Sequence, residues 1–252
     1  MSNTHLVTGG TGTLGRALVA RLGTTGGDVR ILSRRPGPGH VVGDLRTGEG
    51  IDQAVAGADV VLHAATGARG DADLTRTLID ATRRTGEGPH LIYISIVGIN
   101  RIPLSYYRSK LASETLIEAS GLRWTILRAT QFHDLIAGMS RTLSHSPVFP
   151  VLASTRFQPI DVRDVSERLV ELAGGPARQH VPDIGGPEVR SMGELATTWL
   201  AAADKRRPVL SITAPGRTAK AFRQGWNITP DHRDGRITFD EYLSERIHAG
   251  RS

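Results

Sequence analysis

Eight residues near the start constrain this chain more than any others. Thr8-Gly9-Gly10-Thr11-Gly12-Thr13-Leu14-Gly15 spaces its glycines as G-x-x-G-x-x-G. An apolar run, His5 to Thr8, precedes them, and apolar residues at helical spacing follow from Leu14 to Leu22. Gly9 permits a tight turn, Gly12 lets backbone approach a pyrophosphate, and Gly15 lets the helix pack close to the sheet. A helix starting there offers unpaired N–H groups and the positive end of its dipole to phosphate. Gly9, Thr11, Gly12, Thr13 and Leu14 are therefore expected to hold the phosphates of a dinucleotide. An ordinary glycine turn is the competing reading.

The strand-to-helix alternation continues beyond this turn. Strands are expected at Val29 to Ser33, Val41-Val42, Asp59 to Ala64, His90 to Ser95 and Trp124 to Leu127. Helices are expected at Asp52 to Ala56, Asp71 to Thr85 and Ser105 to Ser120. This succession predicts an α/β fold of the Rossmann type, a doubly wound parallel sheet with helices on both faces. After Ala129 the pattern loosens, with helices expected at Gln131 to Leu143, Val162 to Ala173, Met192 to Ala203, Thr218 to Arg223 and Phe239 to His248. Extended segments are expected within Phe149 to Ile160, at His180 to Ile184 and at Val209 to Ile212. The expected organisation is a cofactor domain, residues 1–128, and a smaller α/β substrate-binding region, residues 129–252, packed on it as one compact unit.

The end of the second strand bears on which dinucleotide binds. An NAD-specific site places an acid there for the ribose 2′-hydroxyl. Here the residues are Ser33-Arg34-Arg35. A hydroxyl and two guanidinium forks suit a 2′-phosphate, so NADP (as NADPH) is the expected cofactor, with Arg34 the foremost contact. Two solvated loop arginines are the alternative. Asp44, before Leu45, could accept from the adenine amino group or cap a turn. Ala64, Ala65 and Thr66 end the fourth strand with small side chains, as backbone lying against a flat nucleotide requires.

Charge and composition remove other classes. Of 31 basic residues only Lys110, Lys205 and Lys220 are lysines, so the net charge of +6 reflects arginine usage spread along the chain. The densest cluster, Lys205-Arg206-Arg207, stops at Pro208, and no basic stripe interleaved with aromatics exists; nucleic acid is not an expected partner. No apolar run approaches the length of a membrane span, so no membrane partner is expected. The chain has no cysteine, which suits a reducing, cytoplasmic setting and leaves no thiolate chemistry. No histidine–carboxylate cluster has metal-ligand spacing, so no metal is expected.

Together the glycine pattern, Gly43-Asp44-Leu45, Ala64-Ala65 and Tyr106-Tyr107-Arg108-Ser109-Lys110 resemble the short-chain dehydrogenase/reductase superfamily. Ile94-Ser95-Ile96-Val97-Gly98 is more similar to its atypical, NmrA-like branch. The resemblance is dense over the first half and thinner through Arg128 to His133, Gln158 to Val165 and Asp183 to Pro187. It implies an NADPH-dependent reductase of a small organic molecule at a carbonyl, with Tyr106 the proton donor, Lys110 lowering its pKa and holding the nicotinamide ribose, and Ser95 orienting the carbonyl. Tyr106 and Lys110 are four apart and share a helix face. His133, after the sixth strand, is a further candidate acid, or else a packing residue; Phe149 and Trp226 are candidates for an apolar wall. Three departures stand out. Ser95 and Tyr106 lie close in sequence, Tyr107 competes with Tyr106, and residues 68–88 lack the asparagine that completes the superfamily's proton relay. A cofactor-binding regulator without catalysis is therefore the alternative. The small-molecule substrate is the one partner expected, for a monomer or homodimer.

Overall fold

The computed structural model describes residues 3–67, 70–86 and 88–249, with side chains through Arg246. In chain order the first elements are β1 (Thr4–Thr8), α1 (Thr13–Gly23), β2 (Asp28–Ser33), β3 (His40–Val42), α2 (Ile51–Val55), β4 (Val60–His63), α3 (Asp71–Arg84), β5 (His90–Ile96), α4 (Ser105–Glu118) and β6 (Trp124–Ala129). There follow α5 (His133–Leu143), β7 (Phe149–Leu152), β8 (Arg156–Phe157), α6 (Val162–Ala173), β9 (Gln179–His180), β10 (Arg190–Ser191), α7 (Met192–Ala202), β11 (Val209–Ile212), α8 (Arg217–Arg223) and α9 (Phe239–Ala249).

Residue contacts divide the chain into two units. The first comprises Met1–Ser95, Ser105–Arg128 and Val165–Pro182; the second comprises Ile96–Leu104, Ala129–Asp164 and Asp183–Ser252. The division differs from one cut after Arg128. A parallel neighbour for β6 needs a crossover, and α6 supplies it by returning the chain to β9.

The first unit is built on a seven-stranded sheet of order β3-β2-β1-β4-β5-β6-β9. β1 pairs in parallel with β2 on one side and β4 on the other. Strand order reverses between β1 and β4, and right-handed crossovers then send helices to opposite faces. This is the expected Rossmann-type, doubly wound sheet. β4 is buried at every residue, as a strand covered on both faces must be, and its sequence is correspondingly apolar. Leu6, Leu78, Leu91, Tyr93, Ile117 and Ile126 join α3 and α4 to the sheet in one core.

The second unit has its own core. Ile136 and Ala137 of α5, Phe149 and Val151 of β7, Leu195 and Trp199 of α7, and Phe239 and Tyr242 of α9 pack together. Its sheets are small: β7 pairs in parallel with β11, and β8 antiparallel with β10. Ser191 caps α7 in a reciprocal box, its hydroxyl accepting from Glu194 N–H at 3.2 Å while Glu194 Oε2 accepts from Ser191 N–H at 2.7 Å. Two expectations shift here. The extended segment at 180–184 is a two-residue strand with a separate bridge from Ile184 to Ala129. Phe149, 1% exposed, fills the core and has no free face to offer as a wall. No described helix is long and apolar enough to cross a membrane.

Candidate active site

The glycine turn follows the geometry its spacing requires. Gly9 has φ +71°, and a Cβ there would stand 2.7 Å from the backbone of Ala64 and Ala65. Only glycine tolerates both conditions. Gly12 N–H donates to Gly9 O at 2.9 Å, and Gly12 then enters α1 in extended conformation with no side-chain cap and no acid in the first turn. The N–H groups at that end are left for a ligand. A Cβ at Gly15 would overlap Gly9 O, so the helix could not pack where it does.

Against this turn lies a cavity of about 720 Å³. Its lining includes Gly9, Thr11 and Gly12, then Ser33, Arg34 and Arg35, then Asp44 and Leu45, and finally Ala64, Ala65 and Thr66. Thr13 and Leu14 are not in this lining: they form the first turn of α1, with Leu14 buried beneath it. Ser33 Oγ accepts from Arg35 N–H at 3.1 Å and shapes the turn after β2. The Arg34 and Arg35 side chains have no acidic partner among the described residues. Asp44 Oδ1 accepts from Arg46 N–H at 2.9 Å, so it caps a turn while bordering the cavity. Glycine cradle, helix end and unpaired guanidinium groups fit a dinucleotide with its phosphates.

Lys110 is 4% exposed on α4. Its Nζ donates to Tyr93 Oη and to Ile94 O, both at 3.1 Å, and stands 3.3 Å from Asp71 Oδ2. Ile94 immediately precedes Ser95, so Lys110 is moored at the end of β5 beside the candidate orienting hydroxyl. Ser95 Oγ is buried and has no hydrogen-bond partner among the described residues. An unpaired buried hydroxyl is costly, and a substrate oxygen would satisfy it.

Tyr106 opens toward solvent, 46% exposed, whereas Tyr107 is 6% exposed with its ring 6.4 Å away. Burial of part of the Tyr106 side chain raises its hydroxyl pKa above the ordinary phenol value, and the Lys110 ammonium pulls the other way less strongly. The sign is thus opposite to the lowered value expected of a tyrosine poised by its lysine. Asp71 contributes to the raising.

Within the second unit, His133 is 1% exposed and packs its ring on Phe239 and Tyr242. Its Nε2 donates to Ile237 O at 2.9 Å, which fixes the tautomer and leaves Nδ1 buried without a hydrogen-bond partner among the described residues. Burial holds its pKa down, so the ring is neutral. This geometry matches the packing alternative. Trp226 carries the Arg101 guanidinium over its ring at 5.5 Å.

Sequence reasoning missed the polar assembly beneath Lys110. Ala65 N–H donates to Thr8 Oγ1, Thr8 meets His63 Nδ1 at 2.7 Å, and His63 Nε2 meets Thr75 Oγ1 at 3.0 Å. Thr75 Oγ1 then reaches Asp71 O and Ser113 Oγ. One direction of donation satisfies the chain: Thr8 O–H donates to Nδ1, and Nε2–H donates to Thr75. Burial drives His63 down to about 3, with Lys110 adding to the effect, and the ring is neutral. A signal was available: Asp71 and Thr75, like Ser109 and Ser113, are polar pairs at i, i+4 on helix faces that also carry buried apolar residues.

Residues 9–173 match the NAD(P)H-binding family. The chain is 32% identical over 216 residues to a ceramide reductase of Caulobacter vibrioides, covering 77% of this chain and spanning 66% of that relative's length. It is 27% identical over 248 residues to the (4-alkanoyl-5-oxo-2,5-dihydrofuran-3-yl)methyl phosphate reductase of Streptomyces griseus, covering 87% and 84% of the two chains. Its fold matches the NADPH-dependent quinone oxidoreductase of Escherichia coli solved with NADPH, with TM-score 0.81, 16% identity and coverage of 96% and 99%. With a glycine turn under a dinucleotide-sized cavity and a family match over most of its length, the chain belongs to the NAD(P)H-binding family.

Proposed function

We propose that this protein is an NADPH-dependent reductase of a small organic substrate, acting at a carbonyl. The observation that carries the reading is the end of β5. The Lys110 ammonium is anchored to Ile94 O, the next residue offers the unpaired Ser95 hydroxyl, and α4 carries the half-exposed Tyr106. When bound, the nicotinamide supplies hydride. Ser95 Oγ donates a hydrogen bond to the substrate oxygen, and Tyr106 Oη gives that oxygen its proton. Lys110 stabilises the resulting phenolate through its charge. Solvent exposure favours Tyr106 over the buried Tyr107, because a proton donor must reach substrate. The reductase names of the two relatives support the reaction type.

NADPH is preferred to NADH because Arg34 and Arg35 border the cavity with no ion-pair partner among the described residues, and the end of β2 carries Ser33-Arg34-Arg35 where an NAD site places an acid. Thr13 and Leu14 contribute through backbone N–H groups, and Lys110 through its charge rather than by leaving its buried partners. The test is to titrate both cofactors, then follow NADPH oxidation with ketones, aldehydes, quinones and enones. Tyr106→Phe should lower turnover by about 10²–10⁴ while leaving NADPH affinity unchanged. Unaltered turnover in Tyr106→Phe removes it as the proton donor.

One observation favours a second reading, a cofactor-binding regulator that transfers no hydride. The Lys110 ammonium is already engaged by Asp71, Tyr93 and Ile94, and the Tyr106 hydroxyl is held above its usual pKa. Tight NADPH binding with no oxidation across the substrate panel would favour it.

A further inference from the structure

We infer that Asp71 is a positioning residue that fixes the Lys110 ammonium at the end of β5 and couples it to the loop bordering the cofactor cavity. The inference rests on the reading of Tyr106 and Lys110 above. Asp71 is wholly buried and makes three ties. Its Oδ1 accepts from Gly67 N–H at 2.8 Å, in the loop directly after the cavity-lining Ala64, Ala65 and Thr66. Its Oδ2 stands 3.3 Å from Lys110 Nζ. Its own N–H donates to Ser109 Oγ at 2.7 Å.

The plain alternative is an acid at a helix start, stabilising α3 through its dipole. The geometry goes beyond that role. The carboxylate reaches back to Gly67 and across to α4, and Asp71 grips α4 at two successive residues, Ser109 and Lys110. Oδ2 has no hydrogen bond among the described residues, so the nearby ammonium is the group that offsets its burial. A buried carboxylate without such compensation is strongly unfavourable. Conversely, an ammonium compensated by Asp71 exerts less of its charge on Tyr106. Asp71 thereby limits how far Lys110 can draw down the phenol.

Among the described residues, the other titratable groups around this pair are Tyr93 on β5, His63 on β4, and Tyr106, Tyr107 and Glu114 on α4. Buried His63 is neutral, and buried Tyr93 holds its proton above the ordinary phenol range. Glu114 is paired with Arg128 in a two-point contact at 2.5 and 2.9 Å. Among the described residues, the unbalanced change on removing the Asp71 charge therefore falls on Lys110 and Tyr106.

Asp71→Asn tests this on cofactor-free protein, since the amide oxygen can still accept from Gly67 N–H. Tyrosinate absorbance is followed against pH in wild type and Asp71→Asn, each with Tyr106→Phe subtracted to isolate that phenol. The expected result is a fall of about one unit in the Tyr106 midpoint, the low end for a nearby charge. Exchange of the Lys110 ammonium protons is read by NMR with labelled lysine, assigned through Lys110→Arg among only three lysines. Exchange should quicken about tenfold in Asp71→Asn, as loss of a charge-assisted partner implies. An unmoved Tyr106 midpoint, or unchanged Lys110 exchange, overturns the inference. Failure of the proton-donor reading would show separately, as full turnover in Tyr106→Phe with Asp71 intact.

Discussion

Lowering the pH should unfold this protein partly through His63. The ring is 1% exposed, bonded to Thr8 and Thr75, and its folded pKa is pushed to about 3 against 6.5 for the unfolded chain. A histidine that resists protonation when folded contributes stability above pH 6.5. That contribution is lost as pH falls, because the unfolded chain takes up the proton first. By pH 5 the unfolded state has gained about 2 kcal/mol from this residue, whereas the folded ring is still neutral. The assay is urea unfolding of wild type and His63→Asn at pH 7 and pH 5. The variant is weaker at both, having lost ring packing, but the gap between the two proteins should narrow by about 2 kcal/mol at pH 5. His5 and His90, also held low by burial, act equally in both proteins and cancel. A gap that stays constant between the two pH values would refute the buried, neutral histidine.

Three further outcomes are expected. Arg34→Ala should weaken NADPH by roughly 1.5–3 kcal/mol and NADH much less in paired calorimetric titrations; equal losses would dismiss a 2′-phosphate contact. Gly9→Ala should cost about 1–2 kcal/mol in backbone strain alone, besides the clash with Ala64, and calorimetry should find cofactor binding largely abolished. Lys110→Met should destabilise the fold by about 3–5 kcal/mol by stranding the Asp71 carboxylate, with much of the loss recovered in Lys110→Met/Asp71→Leu; additive losses in denaturation would argue against the pair.

The early elements were legible because their determinants are local. A positive φ at Gly9 and the small volumes of Gly12 and Gly15 are written in residue type, and the apolar periodicities of α1 and α3 mark their buried faces. The doubly wound parallel sheet was legible too, since alternating strands and helices with right-handed crossovers leave few architectures; the order of its strands came from the structure. Arg34, Ser95 and Tyr106 could be picked out because each lies at a strand end or helix start that the motif already located.

What the chain order alone could not decide was who would stand beside whom. Lys110 appeared to be the free partner of Tyr106, four residues away on one helix. In the fold its ammonium is met instead by Asp71 and Tyr93, on a different helix and a strand. The sign of the Tyr106 shift followed from that, since burial and a neighbouring carboxylate outweigh the lysine. His133 stood in the sequence as either a candidate acid or a packing residue, and Phe239 and Tyr242, about a hundred residues later, pack on its ring. Backbone conformation is set mainly by each residue and its near neighbours, so the sequence determined the glycine turn, the helices and the sheet. Desolvation and charge pairing depend on atoms brought together across the chain, so only the tertiary structure decided which groups are neutral, which are paired, and which are left to meet a ligand.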